Sequence, residues 1–116
     1  MPELADLIWL FEDEPTSEDE HLTWPVGLQS FRLRRGSREV LFSLDPMSGA
    51  AYLTMFEAGE ETMSIGRLHL ESLSVEKRDE YEGLVLSFNS EELDPLRLQT
   101  RPVIRLSWYV MAFGDW

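Results

Sequence analysis

Cysteine is absent from this 116-residue chain. Disulfides, thiol nucleophiles and thiolate metal sites are thereby excluded, and the absence fits a reducing, cytoplasmic setting. Histidine is almost absent too. Only His21 and His69 could serve as imidazole bases, and no Gly-x-Ser-x-Gly elbow, P-loop or Gly-x-Gly-x-x-Gly run accompanies them. Lysine is reduced to Lys77 against nine arginines, a bias that reads as GC-rich coding and hence a bacterial source. No apolar run approaches the ~20 residues that cross a bilayer. The segment Met1–Asp6 lacks the basic region and long apolar stretch of a signal peptide. The expectation is a chain without membrane association and without a cofactor.

What is present is a core-forming composition with a strong acidic excess. The hydrophobic fraction is 43% and aromatics supply 11% of residues, enough to exclude a wholly disordered chain. A chain of this length forms one domain that buries roughly two thirds of its surface. The formal charge is −12. Six of the acids and no base fall in Glu12-Asp13-Glu14-Pro15-Thr16-Ser17-Glu18-Asp19-Glu20, so half of the excess sits in one block. Such a charge keeps a protein soluble and repels phosphate backbones and anionic membranes, so direct nucleic-acid binding is a poor expectation.

The period of the apolar residues changes along the chain. Leu4, Leu7, Ile8 and Phe11 fall at helical spacing, Pro2 is tolerated at a helix start, and Glu3 and Asp6 suit its positive end. A helix is expected within residues 1–13, ended before Pro15, with the acidic block following as a solvated loop over 12–23. From Leu28 the period becomes two. Phe31 and Leu33 alternate with Arg32 and Arg34, and Val40, Phe42 and Leu44 alternate with Leu41 and Ser43. Arg35-Gly36-Ser37-Arg38 reads as a hairpin turn between them, and Asp45-Pro46-Met47-Ser48-Gly49 as a second turn. Further strands are expected over 50–57, 62–76, 84–88, 96–100 and 103–110. The phase slips between Leu70 and Leu73, which marks a bulge or bend near Glu71-Ser72. The fold class is therefore α+β, mainly β. Residues 24–116 form an antiparallel meander or small sandwich of about seven strands, with one N-terminal helix packed on it.

No constellation of residues points to catalysis or metal chemistry. Ser48 sits between turn residues, where serine serves local hydrogen bonding. With twenty-two acids, a carboxylate pair at catalytic spacing arises by chance. His69 lies in a strand, opposite in phase to Leu68 and Leu70. The acidic block has hard oxygen ligands but lacks the Asp-x-Asp-x-Asp-Gly pattern of a calcium loop, and one histidine does not make a zinc site.

Two charged features remain. The acids Glu12, Asp13, Glu14, Glu18, Asp19 and Glu20 could attract a basic protein partner, with Trp24, Tyr109 and Trp116 as apolar anchors, since interface energy concentrates in aromatic residues and arginine. The stripe Arg32, Arg34, Arg35 and Arg38 has three readings: pairing with neighbouring acids, serving as the surface on which the acidic block folds back, or binding a carboxylate ligand. The C-terminal aromatics also raise a homodimer. The reading that follows is a non-enzymatic acidic interaction domain of the inhibitor, antitoxin or immunity type. The alternatives are a β domain with an apolar ligand pocket and a nucleic-acid mimic.

Overall fold

The computed structural model describes residues 2–17, 21–89 and 93–108. Its elements are α1 (Leu4–Phe11), β1 (Thr16–Ser17), β2 (Gln29–Arg35), β3 (Arg38–Leu44), β4 (Ala50–Glu57), β5 (Glu60–Lys77), β6 (Glu82–Phe88), β7 (Leu96–Arg101) and β8 (Arg105–Ser107). The eight strands form a single antiparallel sheet in sequence order. Of the meander and the sandwich, the meander is found, and α1 takes the place of a second sheet. The acidic segment is not a plain loop. Thr16 and Ser17 pair with Ser30 and Gln29 and form the sheet's first strand, because their small hydroxylated side chains tolerate extended backbone between the flanking acids.

The helix docks a face rotated from the one its spacing indicates. Leu7, Leu10 and Phe11 are fully buried, whereas Leu4 and Ile8 are half-buried. Leu10 follows Leu7 by three positions and so shares its face, next to Phe11. The Phe11 ring lies 5.3 Å from Phe31 and 6.0 Å from Phe42, stacked on the latter. At the start of α1, the Asp6 carboxylate accepts the Glu3 N–H at 3.4 Å, satisfying a donor that the helix itself leaves unpaired. Glu12, with φ 62°, ends it in the left-handed region.

β5 builds the sheet's curvature. Its first part pairs with β4 as far as His69 and its second with β6 from Leu70 onward. A register shift between Leu70 and Ser72 stands where the hydrophobic phase slips, and another opposes Tyr52; bulges of this kind bend a strand and raise its twist. The turn before β4 holds Gly49 at φ +80°, and a Cβ there would stand 2.9 Å from the Leu70 carbonyl oxygen. In the same turn Asp45 accepts the Met47 N–H at 3.0 Å, and the Ser48 hydroxyl accepts the Ala50 N–H at 3.3 Å. The core lies between α1 and the inner face, on Phe31, Phe42, Leu53, Leu73, Leu84, Leu86 and Leu98.

Candidate protein-interaction site

The acidic segment begins with a carboxylate that is already occupied. Glu12 leaves α1 beside β2 and β7, where Arg35 grips both of its oxygens at 3.0 and 2.8 Å and Arg101 approaches at 3.2 Å. The Arg35 hydrogen bond is the main reason that the Glu12 carboxyl titrates below the ordinary value of 4.5, since it favours the charged form. Arg101 also donates to the Trp9 carbonyl at 2.8 Å and to Glu82 at 2.5 Å. Its guanidinium lies 4.5 Å from the centre of the Trp9 ring, and the Lys77 ammonium lies 4.2 Å from it. The whole forms a latch that ties the end of the helix to β2, β5, β6 and β7.

Asp13 and Glu14 are exposed beyond this latch. Asp13 accepts the Glu14 N–H at 2.8 Å, a local bond that leaves both carboxylates facing outward. Glu18, Asp19, Glu20, Tyr109 and Trp116 lie outside the described residues. Trp24 is half-buried, its ring edge-on to Phe31 at 6.2 Å, so its packing is largely with the core. The β5–β6 turn carries two more exposed acids. Asp79 and Glu80 face Glu12, Arg35 and Arg101 across a cleft of about 410 Å³. The polar segment from Arg78 to Gly83 reads as a turn in sequence, but nothing local announces that residues 79–82 meet residue 12.

The four arginines do not form one stripe. Arg32 and Arg34 stand on the outer face and share Glu39 at 3.2 and 3.3 Å. Arg35 has the opposite parity along β2 and opposes Arg38 across the hairpin. These two reach distant backbone, Arg35 donating to the Thr100 carbonyl at 3.0 Å and Arg38 to the Ile104 carbonyl at 2.9 Å. Arg38 also pairs with Glu57 at 3.1 Å. The Glu57 carboxyl is lowered by the Ser37 hydroxyl first and by Arg38 second. The alternation is legible in sequence, but the partners of Arg35 are not, since they lie 23 and 65 positions away.

Among the described residues, the helix and the large side chains of both sheet halves pack together over the inner face. A groove of about 350 Å³ runs between α1 and the following segment, lined by Leu4, Ile8, Leu22 and Trp24. His69 is exposed in β5, opposite Ala50. Among the described residues no group of three or more potential metal ligands occurs, and no helix is long and apolar enough to cross a membrane.

No protein-family model matches this chain, and no curated protein matches it. Among solved structures, the fold is shared with a chain of a contact-dependent growth inhibition toxin–immunity protein complex from Klebsiella pneumoniae 342. The TM-score is 0.78 at 18% identity, and the match covers 93% of each chain. At that identity the likeness establishes a common fold, one helix on an eight-stranded antiparallel meander.

Proposed function

We propose that this chain is a non-enzymatic, immunity-type interaction domain that binds a basic protein through its acidic surface. The observation that carries this reading is the shared fold with a chain taken from a toxin–immunity complex, matched over 93% of both lengths. Of the two roles in such a complex, the protective one suits this sequence better. A chain without cysteine, with two histidines and without a nucleophile motif offers little catalytic equipment, whereas a net charge of −12 offers strong attraction to a cationic surface. Asp13 and Glu14 with Asp79 and Glu80 form the exposed acidic flank, and Glu12 holds its place through Arg35 and Arg101. Glu18, Asp19 and Glu20 extend the acidic run in sequence. We place the protein in the cytoplasm, where an immunity protein would meet an incoming toxin.

The test is affinity capture from the source lysate at low salt, salt-stepped elution and mass spectrometry, followed by titration of the purified pair. One dominant basic partner released by salt is expected. Neutralising Asp13, Glu14, Glu18, Asp19 and Glu20 together should weaken that pair at least tenfold and flatten its salt dependence. Glu12 is left intact, because its loss would loosen the helix. An empty capture, or a complex indifferent to the five substitutions, would remove the reading.

One observation favours a second reading, a small ligand in the groove beside α1. The Ser17 hydroxyl is buried there with no hydrogen-bond partner among the described residues, and such groups cost stability unless something pairs with them. A ligand that bridges Ser17 and stacks near Trp24 would raise the melting temperature, and Ser17→Ala would abolish that rise.

A further inference from the structure

The face of the sheet opposite the helix plays no part in the proposed function, and among the described residues no helix or second sheet covers it. Antiparallel sheets that face water carry polar side chains on that side, but here Leu41, Tyr52 and Phe56 stand half-buried among charges. Strand register arranges them in rows. One row runs Arg34, Glu39, Phe56, Glu61 across β2 to β5, and the next runs Arg32, Leu41, Thr54, Ser64. Arg34 and Arg32 are 69% and 63% exposed and share the single carboxylate of Glu39. Glu61 is exposed and forms no ion pair among the described residues.

We infer that this face binds a second copy of the chain in a two-fold dimer, its axis running along the strands between β3 and β4. Such an axis places each row against the same row reversed. Arg34 then stands over Glu61 of the second copy, and the reciprocal pair forms at the other side, as an isologous contact requires. In the next row Leu41 meets Thr54, and Arg32 meets Ser64. Charge selects this occupant. Two copies carrying −12 each repel wherever acids meet acids, but in these rows two arginines balance two glutamates. Leu41, Thr54 and Phe56 stand beside the axis with Glu39, whose carboxylate is taken up by its own Arg32 and Arg34, and the remaining charge lies at the rim, as in an interface. Two rows across four strands about 4.8 Å apart cover less than a standard-size interface, so a weak dimer is expected, with a Kd on the order of 100 µM.

The experiment is sedimentation equilibrium of the full chain from about 1 to about 500 µM, near 0.15 M ionic strength, where long-range repulsion is screened. The expected result is a rise from the monomer mass of 13.5 kDa toward twice that value. Arg34→Glu and Glu61→Arg should each weaken the dimer tenfold or more, and the double exchange should restore it. Both sites are exposed, and circular dichroism checks the fold. Should either misfold, Ser64→Arg sets a like charge against Arg32 of the second copy and makes the same break. A monomer at every concentration overturns the proposal, as does a dimer indifferent to the single substitutions or one that the double exchange fails to recover.

Discussion

Arg101 meets Glu12, Glu82, the Trp9 carbonyl and the Trp9 ring at once. A planar guanidinium can serve all four, whereas an ammonium can point at one or two. Arg101→Ala is expected to lower the unfolding free energy by about 1–2 kcal/mol, with partial exposure holding the loss below that of a fully buried network. Arg101→Lys should recover only a fraction, read from urea midpoints. Gly83 is the corresponding steric case. A Cβ there would stand 2.2 Å from the Leu98 carbonyl oxygen, and because the obstacle is sheet backbone it cannot swing aside. Gly83→Ala should cost about 1–3 kcal/mol by forcing β6 from β7, seen as a lower melting temperature with the native fold retained.

At the scale of the element, α1 is short and depends on its docking face, since eight residues are too few for a stable isolated helix. Phe11→Ala removes a ring stacked on Phe42 and tilted against Phe31, and should cost about 3–5 kcal/mol, enough to threaten a domain of ordinary stability. The latch adds a pH dependence. The Glu12 and Glu57 carboxyls titrate below their ordinary 4.5 in the folded chain, so the unfolded state takes up protons first as pH falls. Their stabilisation is fully present above about pH 4.5 and disappears as pH drops through the lowered folded values. Glu12→Gln should therefore be less stable than the parent at pH 7, and the two should converge at acid pH. Parallel urea curves from pH 7 to pH 3 check this, and a constant gap would contradict it.

Among the described residues, two charged regions can be told apart. The latch, Asp13, Glu14, Asp79 and Glu80 lie at the end of the helix and on the β5–β6 turn, and the rows of Arg32, Arg34, Glu39 and Glu61 on the uncovered sheet face are locally balanced. A basic partner and a second copy would therefore use different surfaces. The expected consequence is that Glu61→Arg leaves affinity for a captured basic partner within about twofold while it lowers the mass in sedimentation. Distant sites with no shared contacts behave additively.

Much of the architecture was legible in the residues themselves. The change of period after Leu28, the Gly36-Ser37 turn, the strand over residues 50–57 and the slip between Leu70 and Leu73 follow from local rules: alternation fixes a face, glycine permits a reversal, and a lost phase requires an extra residue. Those rules act over a few positions, so they reached α1, the strands from β2 onward and the solvent-facing parity of Arg32 and Arg34, but not the pairing of Thr16 and Ser17 with β2. They could not reach the burial of Leu10, which depends on how the helix docks on the sheet, or the capture of Glu12 by Arg35 and Arg101. Nor could they reveal that Asp79 and Glu80 stand across a cleft from Glu12. Sequence by itself determined the helix, the antiparallel strands and the acidic excess, because propensity and periodicity are written in adjacent residues, while the choice of meander over sandwich was left to the tertiary structure. The tertiary structure alone decided which carboxylates are tied down and which face is left uncovered, because ion pairs between residues as distant as 12 and 101 exist only once the helix has docked on the sheet.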